Sequence, residues 1–170
     1  LSVLPGAGTV RSPTHPSVTV LVADITGFVD PVAALRANDV AKALGGIFAG
    51  FDEIASANGL RSAWILGDPY VATAGLGREC LDHADRAAAT ALELIPSLAA
   101  FARRTGLRLH ARIGLSSGPV AAGRVGGRHV IYDLWGETLD SAARLEREGV
   151  ADRVLVSEST RNLLGPRFQL

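Results

Sequence analysis

The chain has 170 residues, no formal net charge, 48% hydrophobic and 20% charged residues, the balance of one globular domain large enough to bury a core. Zero net charge excludes a global field that would draw nucleic acid or an anionic membrane, so any charged ligand must be met by a local cluster. Cys80 is the sole cysteine, which excludes an intrachain disulfide and a thiolate metal cage.

A single cysteine suits a reducing compartment, and a cytoplasmic location is expected. No apolar run reaches the roughly 18 residues that span a bilayer, so no membrane contact is expected within this chain. The start lacks the charged and apolar regions of a signal peptide. It also lacks a methionine, so a longer protein is expected around the chain. Sixteen of the seventeen basic residues are arginine, with Lys42 the one lysine.

Residues 1–16 mix Pro, Gly, Ser and Thr without periodicity and read as a linker or arm before a domain over 17–170. SVTVLVAD, 17–24, is a β-branched run ending in an acid, the pattern of a buried central strand. Thr26-Gly27-Phe28 makes a turn, and apolar residues at helical spacing predict a helix over 31–57, stopped by Asn58-Gly59. Leu60–Leu66 and Tyr70–Leu76 flank Gly67-Asp68-Pro69 as a β-hairpin. A helix is expected over Asp82–Arg104, kinked or broken at Pro96. Arg108–Ser116 and Pro119–Arg124 read as two strands around Ser117-Gly118, with another at Val130–Leu134. A helix over Glu137–Arg147, a strand at Val154–Val156 and a short helix capped by Ser157 complete the chain. Paired neighbouring strands mixed with helices argue for an α+β fold, its sheet largely antiparallel and flanked by helices.

Asp24 ends an apolar strand, where a carboxylate must cap a turn, meet an arginine or bind a metal. Asp68 at the hairpin tip has the same readings. Two carboxylates leaving the ends of strands that could lie side by side suit a two-metal phosphoryl site, and their hard oxygen donors favour Mg²⁺ or Mn²⁺. The turn after Asp24 offers backbone N–H groups for phosphate oxygens. Arg112 lies inside an apolar strand, where it snorkels or pairs with an acid. Arg144 stands four residues after Asp140 on one helical face, the spacing of an ordinary intrahelical pair. His83, His110 and His129 show no ligand spacing and read as surface or structural groups.

Four segments in order resemble one family, the class III nucleotidyl cyclases. They are VTVLVADITGF, WILGDPYVA, LHARIGLSSGPVAAGRVG and YDLWGETLDSAARLE, and the resemblance covers about residues 17 to 165. It implies a ferredoxin-like palm, assembled as a head-to-tail homodimer with each active site at the interface. It also implies that Asp24 and Asp68, with Ile25 beside Asp24, hold two divalent ions, Mg²⁺ or Mn²⁺. Thr26, Gly27, Phe28 and Arg112 would bind phosphate. The partner chain would supply Asp133 for the base and Asp140 and Arg144 for the transition state. The activity implied is closure of a nucleoside triphosphate to a 3′,5′-cyclic nucleotide plus pyrophosphate, with no role for nucleic acid.

Two positions depart from the purine cyclases. Trp64 stands where adenylate cyclases carry a base-reading lysine, and Asp140 stands where an asparagine usually contacts the ribose. Trp64 donates one N–H and adds a large flat ring. The base pocket is thereby tilted slightly toward UTP or CTP, as in pyrimidine cyclases of antiphage (Pycsar) signalling. An unconventional adenylate cyclase is the alternative, and an inactive regulatory domain the third reading. A guanine substrate is disfavoured because no Glu occupies the lysine position.

Overall fold

The computed structural model describes residues 14–27, 37–63, 69–77, 80–125 and 131–169. The first strand, β1 (Thr14–Thr26), has Val18, Val20 and Val22 on one face and Thr19, Leu21 and Ala23 on the other, all buried. Burial on both faces is what a β-branched run without polar alternation demands, and it places β1 in the centre of the sheet. The strand starts earlier than its apolar pattern suggests. Pro16 cannot donate to a ladder, but a register shift between His15 and Val18 absorbs it as a bulge.

Helix α1 (Ala37–Ala57) buries Ile47, Phe51 and Ala55, one residue per turn. The first part of the expected helix, 31–36, lies outside the described residues. Gly59 ends it with φ of 77°, and Leu60 N–H donates to Ala55 O at 2.8 Å. The hairpin forms as expected from β2 (Arg61–Ala63) and β3 (Tyr70–Ala74), paired from Arg61↔Thr73 to Ala63↔Val71. Its tip, 64–68, lies outside the described residues.

Helix α2 (His83–Thr105) is continuous through Pro96, so of the expected kink or break the break does not occur. Pro96 and Leu92, whose carbonyl loses its donor, both sit on the exposed face, so water can take the freed oxygen. Ala87, Ala91, Leu94 and Leu98 on the other face are buried and hold the helix down.

The largest correction concerns β4 (His110–Val125), one continuous strand rather than two. Ser117-Gly118 does not turn, because both residues stay paired with β1, as Thr19↔Ser117 and Val18↔Gly118. The Ser117 hydroxyl is shared with Thr19 at 2.7 Å and Thr160 at 2.9 Å. Gly118 serves close approach, since a Cβ there would come within 2.7 Å of Thr138 Oγ1. The chain closes with β5 (Ile131–Trp135), α3 (Glu137–Glu148), β6 (Arg153–Val156) and α4 (Glu158–Leu163). Ser157 caps α4 as expected, its hydroxyl accepting from Thr160 N–H at 3.1 Å.

The sheet order is β2-β3-β1-β4-β5, and β6 pairs in parallel with Arg112–Leu115 of β4. The unit β1-α1-β2-β3-α2-β4 in the order 2-3-1-4 is a ferredoxin-like core, and every other strand pair is antiparallel. Helices α1 and α2 cover one face of the sheet, over Leu21, Ala23, Ile113 and Leu115. Helix α3 covers the other, over Val18, Val20, Val22 and Val120.

His83 is structural, as its lack of ligand spacing suggests. It is 3% exposed, and its ring is held by Thr19 Oγ1 at Nδ1 (2.6 Å) and Ser17 Oγ at Nε2 (2.7 Å). Burial pushes its pKa below the ordinary 6.5, and the charge of Asp82 offsets this only in part. The neutral ring therefore contributes stability that is complete above the unfolded value and lost as pH falls through 6.5 toward the lowered folded value. Replacing it by asparagine should lower the melting temperature at neutral pH. The variant's stability should then fall less steeply than the parent's between about pH 7 and pH 5. Parallel slopes in urea unfolding across that range would exclude the ring as the titrating group.

Candidate active site

Alternation along β1 puts Asp24 on the same face as Val18, Val20 and Val22, the face beneath α3. Antiparallel pairing sets Asp24 directly opposite Arg112, followed by Ile25↔Ala111 and Thr26↔His110. Arg112 Nη2 donates to Asp24 Oδ2 at 2.8 Å. Of the open readings of Asp24, the described contact is with an arginine, and the arginine is the one the cyclase resemblance singled out. Both side chains are about a quarter to a third exposed, 25% for Asp24 and 30% for Arg112.

Gly27 follows with φ of 103°, and a Cβ there would collide with the Arg108 carbonyl. Only glycine lets the chain leave β1 so close to the segment entering β4. Thr26 Oγ1 donates to His110 O at 3.4 Å, which ties the same corner. Phe28, Trp64 and Asp68 lie outside the described residues, as does the side chain of Asp133 on β5. Among the described residues no three His, Cys, Asp or Glu side chains converge as a metal cage. The carboxylate of Asp24 and the main-chain oxygen of Ile25 are hard donors of the kind Mg²⁺ and Mn²⁺ take.

Asp140 and Arg144 both project into solvent from α3, and no ion pair joins them among the described residues. Their four-residue spacing is therefore not used for the ordinary intrahelical pair. The structure does not bring them to Asp24 within one chain.

Glu146, to which the sequence reading gave no role, does reach the site. Its carboxylate is 7% exposed and its Oε1 lies 2.9 Å from Arg112 Nη2. Burial pushes its pKa above the usual carboxylate range, opposed by the charge of Arg112 and reinforced by that of Asp24. A signal was available, since Thr138, Ala142 and Glu146 repeat every four residues and all are buried. A carboxylate closing such a stripe needs a cation, and Arg112 is it. Helix α3 can sit this low because Gly114 lets it. A Cβ at Gly114 would collide with Ala142 O and come within 2.5 Å of Glu146 N.

Residues 10–170 match the family model described as the adenylate and guanylate cyclase catalytic domain. The chain belongs to the class III nucleotidyl cyclases. It is 33% identical over 153 residues to a membrane guanylyl cyclase of Dictyostelium discoideum, covering 89% of this chain and 10% of that protein. It is 31% identical over 156 residues to an adenylate cyclase of Mycobacterium tuberculosis, covering 92% of this chain and 35% of that one. The guanylate cyclase domain from Catenaria anguillulae in complex with GTP superposes with a TM-score of 0.86 at 33% identity, over 93% of this chain and 87% of that one. The chain thus spans about a tenth to a third of these two full-length cyclases. Among its described residues no helix is long and apolar enough to cross a membrane.

Proposed function

We propose that this cyclase domain converts a nucleoside triphosphate to a 3′,5′-cyclic nucleotide and pyrophosphate, at sites shared between two copies of the chain. The observation that carries this is the cross-strand pair Asp24–Arg112 near the end of β1. It puts the carboxylate that would ligate a metal beside the guanidinium that would bind phosphate. Asp24, the Ile25 carbonyl and Asp68 would hold the divalent ions. Bound there, Mg²⁺ or Mn²⁺ would acidify the ribose 3′-hydroxyl and neutralise charge on the phosphates. Arg112 would bind the triphosphate as a charged donor, and the backbone N–H groups of Thr26, Gly27 and Phe28 would serve the same oxygens. Because the nucleophile and the α-phosphate belong to one molecule, much of the rate comes from holding them in line.

The solvent-facing Asp140 and Arg144 support a second copy as the element that completes each site. Arg144 would then offset charge at the partner's α-phosphate, and Asp140 would accept a ribose hydroxyl. Asp133 would accept a hydrogen bond from the base.

The base is read by Trp64 and Asp133. The relatives described above are adenylate and guanylyl cyclases by name, so a purine triphosphate is the substrate class with the broader support, and none of them supports an antiphage role. Trp64 in place of a base-reading lysine favours a pyrimidine as the second reading. Incubation with ATP, GTP, CTP and UTP plus Mn²⁺, with products identified by mass spectrometry, separates the two. Absence of any cyclic product would favour an inactive regulatory domain instead. Trp64→Lys should move preference toward ATP, and an unchanged product profile would remove Trp64 from base selection.

A further inference from the structure

Arg112 is incompletely satisfied, and the defect has a direction. One nitrogen, Nη2, serves both Asp24 Oδ2 at 2.8 Å and Glu146 Oε1 at 2.9 Å. The contact with Glu146 is a close charge contact of poor hydrogen-bonding alignment, and among the described residues neither Glu146 Oε1 nor Arg112 Nε, both buried, has a well-aligned hydrogen-bond partner. An arginine committed to one carboxylate makes two parallel N–H···O bonds and leaves neither atom orphaned. This guanidinium is instead stretched between two acids, and buried polar atoms left unpaired disfavour that arrangement.

The two acids differ in what they can do. Glu146 is 7% exposed and sits where α3 packs against Gly114 backbone to backbone, so it cannot follow Arg112 outward. Asp24 is more exposed and stands two residues before the end of β1. The group with room to swing between them is the guanidinium, whose side chain is 30% exposed. Resting on the assignment of Asp24 as a metal ligand, we propose that Asp24 and Glu146 compete for Arg112. Arg112 blocks Asp24 while the cation is absent, and Glu146 receives it in a two-bond pair when Asp24 takes the cation.

Glu146 is then a positioning residue for cation loading. Its charge draws Arg112 off Asp24 before any nucleotide arrives. A triphosphate pulls the same guanidinium away from Asp24, so nucleotide and cation assist each other's binding. Both carboxylates are needed: with Asp24 alone the arginine would stay on the metal ligand, and with Glu146 alone it would never hinder it.

The test is Mn²⁺ binding to the whole chain without nucleotide, read from the electron paramagnetic resonance of free Mn²⁺. Arg112→Gln should tighten binding by about tenfold, the size of one charge-assisted hydrogen bond, and Glu146→Gln should weaken it by a similar factor. In the Arg112→Gln background, adding Glu146→Gln should change nothing, because the effect of Glu146 passes through the arginine. Unchanged or weaker Mn²⁺ binding in Arg112→Gln overturns the proposal, and does so even if Glu146→Gln fails to fold. A Glu146 effect that persists without Arg112 overturns it in favour of a simple field of negative charge. Asp24→Asn separates the two layers: if it leaves Mn²⁺ binding intact, the metal assignment itself has failed.

Discussion

Asp24→Ala is expected to reduce cyclic nucleotide formation by about a thousandfold or more, the scale of losing a charge that acts on the transition state. The fold should survive this change. Asp24 stands near the end of β1, a quarter exposed, and its removal leaves Arg112 paired with Glu146 rather than buried alone. Stability should therefore move by about 1 kcal/mol or less, as for other partly exposed ion pairs. Product formation from the preferred triphosphate, followed beside thermal unfolding, checks both halves. Turnover near that of the parent would remove Asp24 from the reaction, whereas a collapsed melting curve would make it a structural acid.

Gly114→Val is expected to destabilise the fold strongly, more than Gly118→Ala or Asp24→Ala. The position lies on the α3 face of β4, where a Cβ would collide with the backbone of Ala142 and Glu146 rather than with a side chain that could rotate away. Lifting α3 off the sheet would cost about 3 kcal/mol, the upper end for overpacking a well-filled site. It would also withdraw Glu146 from Arg112. Gly118→Ala is the graded comparison, since its neighbour is the Thr138 side chain, and the loss should be smaller. Gly45→Ala on the exposed side of α1 meets nothing within 4 Å. It should gain about 0.5–1 kcal/mol from helix propensity. Urea unfolding of the three variants orders them, and a Gly114→Val protein as stable as its parent would contradict the close packing of α3.

The two predictions draw on different kinds of information. Asp24 was legible because an acid at the end of a β-branched run is an anomaly at the level of local pattern. Its membership in a cyclase signature followed from segments that each lie within a short stretch of chain. Gly114 was not legible in the same way. A glycine inside LHARIGLSSG announces that something comes close, but the α3 backbone that does so lies some thirty residues later.

The same division runs through the rest of the molecule. Local periodicity and turn chemistry were sufficient for β1, the pairing of β2 with β3, α3 and the Ser157 cap, since each depends on residues close in the chain. They misled at Ser117-Gly118, where Gly and Ser are the residues of a turn, yet pairing to Thr19 and Val18 keeps the strand straight. They allowed a break at Pro96 that does not occur, for a related reason. The cost of a proline depends on whether the freed carbonyl meets water, and that depends on which face of α2 is exposed.

By itself, then, the sequence determined the α+β class, the cyclase family and the placing of Asp24 near the end of a central strand that runs two residues further than its pattern suggests, because spacing along the chain encodes these. Only the tertiary structure decided that Asp24 faces Arg112 across the ladder and that Arg112 is held in turn by Glu146. It also decided that Asp140 and Arg144 turn outward from α3. Register and the packing of α3 on Gly114 are agreements between segments far apart in the chain, and no local pattern carries both halves of such an agreement.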